Sequence, residues 1–292
     1  MLVAHRHPAG AHAPADARAP RGRYRGRFAQ GAADMRAVWA LRAVAFRGAA
    51  LAQEAQGEAV ERDRFDARFR HAMVEEVATG ALAACFRMAS FADGRGIAAG
   101  YAACHHDLSR LSGYPAPLAE IGRFCVRPGL CDPDVVRVAW GMIARIVDDE
   151  GIGLVFGCTS FSGTDPAPYA RALSAACRRN RAPARWRPGA RAPAANRGAR
   201  VLPLARLAAP EPEPEPPAGR PRALPGLLRV YLRLGGWIGD HAVIDPDLNS
   251  FHVLTGLEIA RIPPARAAFL RKAAQFAQTG ATGAIDHCAA AR

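Results

Sequence analysis

A carboxylate and a guanidinium lie three residues apart in the segment EIGRFCV, as Glu120 and Arg123. The other residues of the segment are mostly apolar and predict a buried strand. Because a buried charge is costly unless it is paired or used, the two residues either line a site or form a structural ion pair. At a site, the carboxylate is a candidate for proton transfer.

Three further charged residues are candidates for binding. Asp63 and Asp66 lie in the polar segment ERDRFD, and Arg87 lies in an apolar run, GALAACFRMASF, that predicts a strand. Carboxylates can hold a cationic amine, and guanidinium groups bind carboxylates or phosphates through paired hydrogen bonds. On their own, ERDRFD is more typical of a solvated turn, and Arg87 is more typical of a surface position.

The histidines and cysteines do not predict a metal site. His105 and His106 precede Asp107, but adjacent side chains of a strand point to opposite faces. The seven cysteines contain no C-x-x-C pair and are odd in number. We therefore expect neither a zinc site nor a disulfide framework, and a reducing cytoplasm is favoured.

The elements that would position these residues mix helices and strands. We predict helices at 33–53, 132–151, 165–177 and 264–278, and strands at 80–91, 97–104, 120–126 and 154–161. Asp132 followed by Pro133 is a typical helix start. This order predicts a mixed α/β sandwich around one sheet.

The net charge is +13, and Lys272 is the single lysine among 39 basic residues. The charge favours acidic partners: anionic lipid, an acidic carrier protein or nucleic acid. No signal peptide is visible, and no stretch approaches the roughly 20 apolar residues of a membrane-spanning helix.

Composition divides the chain into segments. We expect a disordered basic arm (1–27), a core (28–207), a stiff linker containing PEPEPEPP (208–223), a C-terminal part (224–280) and a tail (281–292). Residues 178–200 carry eight arginines and no acid, which predicts a flexible insertion or an attraction to anionic partners. Leu224 to Ile238 fits either a core helix or a helix anchored in a membrane interface by Tyr231 and Trp237.

The junction RPGLCDPD, before the second helix, disfavours free coenzyme A as a donor. It has one glycine, and Asp132 and Asp134 stand where a pyrophosphate would bind. Carboxylates at a helix N-terminus suit the helix dipole but repel an anion.

Taken in order along the chain, these residues resemble the acyl-homoserine-lactone synthases, which are GNAT-like enzymes. The pattern comprises Arg42, Phe46, Asp63, Phe65, Asp66, Arg87, Glu120, Arg123, Phe124 and Val126. The L-ornithine N-alpha-acyltransferase family is a closer match through DLSRLSGYP (107–115), EIGRFCVRPG (120–129), DPDVVRVAWG (132–141), LVFGCTSFSGTDP (154–166) and YLRLGGWIGDHAVIDPDLNSFHV (231–253). Together these segments span about residues 23–255, and the last one distinguishes the two families.

The resemblance implies a GNAT-like fold with a C-terminal extension and the transfer of a 3-hydroxyacyl group from acyl carrier protein to the alpha-amine of L-ornithine. The product would be a lyso-ornithine lipid. It implies no cofactor beyond the carrier's phosphopantetheine, and a cytoplasmic protein peripheral to the inner membrane, with no nucleic-acid partner. Glu120 would be the catalytic base. Arg42, Phe46, Asp63, Asp66, Arg87, Arg123 and Phe124 would bind the substrates.

Departures from the family pattern keep alternatives open. His241 stands where the family has glycine, and Ser250 and Phe251 fall in a segment that differs from its usual D-F-N-T-T-D-V. A lactone synthase, or an N-acyltransferase for another amino acid, is one alternative. A non-catalytic basic protein that binds lipid or nucleic acid is another.

Overall fold

A computed structural model describes residues 22–47, 60–191, 200–207 and 222–276 of this chain. Its strands are β1 (Tyr24–Phe28), β2 (Arg70–Glu76), β3 (Leu82–Phe91), β4 (His106–Asp107), β5 (Leu118–Val126), β6 (Leu154–Ser162), β7 (Gly189–Ala190), β8 (Arg200–Pro203), β9 (Trp237–Asp245) and β10 (Ser250–Glu258). Its helices are α1 (Gly31–Arg47), α2 (Pro133–Asp149), α3 (Ala170–Arg179), α4 (Gly226–Arg233) and α5 (Pro264–Phe276).

Eight strands form one sheet in the order β1-β2-β3-β5-β6-β10-β9-β8, and β4 pairs with β7 in a separate ribbon. Within the large sheet β5 and β6 are parallel, and the other neighbours are antiparallel. The parallel pairing covers only 118–120 against 154–156, although both strands continue beyond it. This arrangement confirms the predicted mixed α/β sheet with helices against it.

Alternate residues of each strand point to opposite faces of the sheet, and apolar side chains cover both faces. On one, the α2 face, Phe86 and Ile121 pack in a core cluster with Val138 and Ile143 of α2. On the other, the α1 face, β3 and β5 pack against α1 at one end, and Leu118 contacts the segment 94–113. Helix α2 begins as predicted, because the Asp132 carboxylate accepts from the Asp134 N–H and proline follows the cap.

The C-terminal part extends the sheet beyond β6 with strands β10 and β9. Strand β10 inserts between β6 and β9, and every residue from Ser250 to Glu258 is buried. The membrane-anchor interpretation of 224–238 is wrong for its two aromatic residues, since Tyr231 and Trp237 are each 3% exposed and pack in core clusters. The core-helix alternative is observed only for Gly226–Arg233, with Leu228 fully buried in α4, whereas Trp237 and Ile238 begin β9.

Some predicted boundaries are also wrong. Residues 24–27 belong to β1 rather than to a disordered arm, and residues 1–21 lie outside the described part. The segment 97–104 is not a strand but a series of short turns. Gly94, just before this segment, lets the chain pack closely against Ser112, because a Cβ at position 94 would lie 2.4 Å from the Ser112 carbonyl oxygen. The described arginines of 178–191 are largely exposed, as a solvated segment predicts, but some of them bind the rest of the fold: Arg191 donates to the Ala103 carbonyl and Arg185 pairs with Glu258.

Other predictions fall partly or wholly on residues that the structure does not describe. These are the helix beyond residue 47, residues 192–199, the linker up to residue 221 and the tail. Among the described helices, none has the length and apolar character needed to cross a membrane.

Candidate active site

A β-bulge in β5 decides where the two most informative charges point. Cys85 pairs with Cys125 and Arg87 with Gly122, so one residue of β3 faces two residues of β5. Arg123 takes up the extra residue with φ of 51°, in the left-handed region that a non-glycine residue rarely adopts. Strand alternation alone would place Arg123 opposite to Glu120. The bulge instead brings both side chains to the α1 face, next to Tyr101 and Ala102.

Glu120 is a buried carboxyl group with one oxygen unused. Its side chain lies under the turn formed by 100–102, where Oε1 accepts the Ala102 N–H at 2.7 Å. Within the described part of the chain Oε2 has no hydrogen-bond partner. Burial raises the pKa of Glu120 to about 7, against the opposing effects of the Ala102 N–H and of Arg87. A carboxyl group that titrates near neutrality, with a free lone pair, suits a general base.

Asp66 forms the centre of an ion-pair network beside this carboxyl group. Its Oδ1 accepts from Arg42 at 2.8 Å and from Arg87 at 2.5 Å. Its Oδ2 accepts from the Trp39 indole N–H and from the Asp63 backbone N–H. Burial acts to raise the pKa of Asp66, but the two arginines outweigh it and the pKa lies below its ordinary value.

Asp63 and Glu61 complete the network. Asp63 accepts from both terminal nitrogens of Arg87, from Arg123 at 3.0 Å and from the Phe65 N–H. Glu61 bridges Arg42 and Arg123 at 2.5 and 3.1 Å. The network thus joins three guanidinium groups to three carboxylates and ties the loop at 61–66 to α1, β3 and β5.

This geometry limits what the network can do directly. A carboxylate has about four lone-pair positions, and Asp63 and Asp66 each already accept four hydrogen bonds. Neither is therefore available to a substrate amine without displacing a donor. The structure shows both residues, with Arg42, Arg87 and Arg123, as an internal framework; contact of these groups with substrate stays a prediction.

The two predicted aromatic residues lie in different places. Phe46 packs in the α1 cluster, with the Arg123 guanidinium 5.9 Å from its ring centroid. Phe124 stacks on Phe86, at 5.7 Å between centroids, in the core of the α2 face. The bulge places Phe124 on the face opposite to Arg123, so the structure does not bring it to the site.

Sequence reasoning did not include Tyr101 and Glu61 among the site residues. The Tyr101 ring lies 5.4 Å from the Arg87 guanidinium and 4.8 Å from that of Arg123. Burial raises the pKa of the Tyr101 hydroxyl to about 12. Glu61 is the first residue of ERDRFD, but its partner Arg42 lies 19 residues earlier in the chain and no local pattern links the two.

A cavity of about 520 Å³ opens on the outer side of the network. Its charged walls come from Asp63, Asp66, Arg62 and Arg70, and its other walls from Phe28, Ala29, Met35, Trp39, Ala67, Phe69 and His71. Glu120 is not part of this lining, because Arg87 and the turn at 100–102 lie around its carboxyl group. The space is large enough for an amino acid, with both signs of charge on its walls.

The helix N-terminus that was predicted to disfavour a pyrophosphate is occupied by protein groups. Asp132 Oδ1 accepts the Asp134 N–H at 3.0 Å, and Oδ2 accepts from the Tyr24 hydroxyl and from Arg23. The carboxylate therefore holds the position that an anion would take at this helix.

Comparison with known proteins identifies the family. An acetyltransferase (GNAT) domain model matches residues 41–141. The L-ornithine N(alpha)-acyltransferase of Brucella abortus (strain 2308) is 31% identical over 249 residues, which are 81% of this chain and 84% of that protein. The chain belongs to the L-ornithine N(alpha)-acyltransferase family.

A second member of the L-ornithine N(alpha)-acyltransferase family, from Rhizobium meliloti (strain 1021), is 34% identical over 143 residues, and this match spans 45% of its length. Among solved structures, the chain is similar to an N-acyl amino acid synthase from uncultured soil microbes, at 12% identity and a TM-score of 0.44. That similarity covers 87% of this chain and 98% of the synthase.

Proposed function

We propose that this protein transfers a 3-hydroxyacyl group from acyl carrier protein to the alpha-amine of L-ornithine, giving a lyso-ornithine lipid. Membership of the family supports the acceptor. The observation that carries the chemistry is the buried Glu120 carboxyl group, whose pKa of about 7 and unused Oε2 suit proton transfer from an amine.

In the proposed reaction the amine nitrogen attacks the thioester carbonyl carbon. The N–C bond forms, the C–S bond breaks, and the thiol of phosphopantetheine leaves. Glu120 takes the amine proton, directly or through a water, and the leaving sulfur is protonated in turn. Since the turn at 100–102 covers the carboxyl group, we propose that this turn moves when substrates bind.

The 520 Å³ cavity is the proposed ornithine site. Arg62 lines it, packs with its guanidinium 5.9 Å from the Trp39 ring, and has no ion pair within the described residues. It is suited to the ornithine carboxylate. Asp63 and Asp66 also line the cavity, where Arg87 and Arg123 hold the Asp63 carboxylate in place.

The proposed donor is a carrier protein rather than free coenzyme A. Two observations support this choice: the Asp132 carboxylate caps the helix where a pyrophosphate would bind, and the net charge of +13 would attract an acidic carrier. Association with the inner membrane surface belongs to the same proposal, because the product carries a fatty chain.

Incubation of the purified protein with 3-hydroxyacyl carrier protein and L-ornithine tests the function. We expect free thiol to appear together with lyso-ornithine lipid, identified by mass spectrometry. L-lysine and S-adenosylmethionine as acceptors, and 3-hydroxyacyl coenzyme A as donor, are the matched controls. Thiol release with another acceptor but not ornithine, or a lactone without lyso-ornithine lipid, would contradict the proposal. Faster transfer from the coenzyme A thioester would overturn the choice of donor alone.

A further inference from the structure

Histidines from three strands meet a cysteine on the α1 face, outside the ion-pair network. His106 comes from β4, Cys158 from β6, His241 from β9 and His252 from β10. Residue Cys158 pairs across the sheet with Leu254, so that His252 is its diagonal neighbour on the same face. The three histidines are no more than 3% exposed.

A hydrogen-bonded chain fixes the tautomer of His106. The Asp240 carboxylate, which can only accept when ionised, lies 3.1 Å from Nδ1 of His241, so this nitrogen donates. With the His241 proton on Nδ1, Nε2 of that ring accepts, and Nδ1 of His106 donates to it at 2.9 Å. Nε2 of His106 is left with a lone pair, is buried, and has no partner within the described residues.

The ring of His252 is also short of partners. Both of its nitrogens are buried and unpartnered within the described residues, which is costly for an imidazole. The rings of His105 and His106 lie 5.0 and 5.4 Å from it. The sequence argument that adjacent histidines diverge fails here, because His105 ends a short turn with helical dihedrals rather than lying in a strand.

One ligand atom from each of His106, Cys158 and His252 lies within 4.8 Å of the others. Tetrahedral zinc, with bonds of about 2.0–2.3 Å, needs such atoms about 3–4 Å apart, so a small rotation of side chains closes the site. Imidazole nitrogens with a thiolate form the donor set that zinc and similar transition metals prefer.

We propose that His106, Cys158 and His252 bind a divalent transition metal ion of the zinc class, with His241 and Asp240 orienting His106 from behind. Cys158 binds as the thiolate, and its proton is released to solvent as the metal–sulfur bond forms. Three protein ligands leave a further coordination position open.

The site departs from the sequence-based expectation of no metal. Cys158 and His252 are far apart in the chain and meet only through the register of β6 and β10. Metal-binding imidazoles are commonly oriented by a hydrogen bond from their second ring nitrogen, and here His241, itself bonded to Asp240, accepts that bond from His106.

Cobalt titration of the metal-free full-length protein under reducing conditions tests the site directly. We expect one Co²⁺ per chain, with a thiolate-to-cobalt charge-transfer band and the visible bands of tetrahedral cobalt, all removed by adding Zn²⁺. Cys158→Ser should abolish the charge-transfer band, and Asp240→Asn should weaken binding about 10–100-fold. This readout does not depend on acyl transfer, so a failure of the metal-site proposal can be distinguished from a failure of the proposed function.

Two cysteine variants serve as controls. Cys177→Ser replaces a half-buried thiol of α3, and Cys288→Ser replaces the thiol that follows His287 in sequence. Both should keep the band. Absence of the band from the wild-type protein overturns the proposal, and this result does not depend on the folding of any variant. A charge-transfer band that survives Cys158→Ser but disappears in Cys288→Ser would also overturn the proposal.

Discussion

Glu120 and Arg123 lie on the same face of β5 although they are three residues apart, because Arg123 occupies a bulge with φ of 51°. Both contact the turn at 101–102: Glu120 accepts the Ala102 N–H and the Arg123 guanidinium lies 4.8 Å from the Tyr101 ring. A regular strand would have sent Arg123 into the core of the α2 face. The bulge therefore joins the proposed base to the ion-pair network.

Gly100→Ala is expected to disable the proposed base without removing it. A Cβ at this position would lie 2.0 Å from Oε2 of Glu120, so the carboxyl group or the turn must shift. Misplacing a catalytic group by about 1 Å can cost about 10²-fold in rate. We expect kcat to fall by about that factor while urea unfolding shows a folded protein. Gly113→Ala is the matched control, since its Cβ would meet nothing within 4 Å. Equal activity of the two variants would contradict the assigned geometry.

Asp66→Asn is expected to destabilise the fold strongly. The change removes the negative charge that Arg42 and Arg87 share in the interior, and breaking a buried ion pair on one side costs about 3–5 kcal/mol. Urea unfolding measures the loss. Asp93→Asn, which removes the exposed partner of Arg95, should leave the unfolding midpoint unchanged. If Asp66→Asn kept full stability and changed only the KM for ornithine, Asp66 would be a substrate ligand rather than part of the framework.

Leu228→Ala distinguishes a core helix from a membrane anchor. Leu228 of α4 is fully buried, and truncating such a side chain costs about 2–5 kcal/mol. Phe269→Ala, at a position that is 62% exposed on α5, should have little effect on unfolding. A Leu228→Ala protein of native stability that no longer bound anionic vesicles would restore the anchor interpretation.

Strong local signals explain which elements the sequence could predict. Asp132 and Pro133 mark the start of α2, and the apolar runs mark β5 and β6, because caps and periodicity act within a few residues. Strand β2 was missed, since its sequence RHAMVEE holds four charged or titratable residues in seven. The partners of β10 depend on a sheet order that no local pattern encodes.

The site was only partly predictable for a related reason. The family resemblance grouped Arg42, Asp63, Asp66, Arg87 and Arg123, and the structure brings all five together. It could not show that the carboxylates are saturated by these arginines. Gly122 in EIGRFCV is a possible bulge signal, since a glycine inside a strand often marks one. The positive φ falls on Arg123 instead, where the surrounding ion pairs and strand pairing impose it against local preference.

Glu120→Gln should make stability less dependent on pH. The folded protein holds a proton on Glu120 up to a pKa of about 7, whereas the unfolded chain releases it near 4.5. The raised pKa means that the wild-type protein loses stability as pH rises through this window, by about 3 kcal/mol at most. Glutamine resembles the protonated acid, so the variant should be more stable than wild type above the window and similar below it. Urea unfolding on both sides of the window measures this; parallel curves for the two proteins would mean that the pKa is not raised.

Turnover of Glu120→Gln, measured against pH with 3-hydroxyacyl carrier protein and L-ornithine, tests the central claim most directly. Glu258→Gln, at a mostly buried carboxylate that pairs with Arg185 outside the cavity lining, is the matched control. We predict that wild type and control gain activity through a pH of about 7, as Glu120 ionises. The Glu120 variant should be folded, about 10²–10⁴-fold slower, and without that inflection. A folded Glu120→Gln protein with undiminished turnover and the wild-type pH profile would contradict the account.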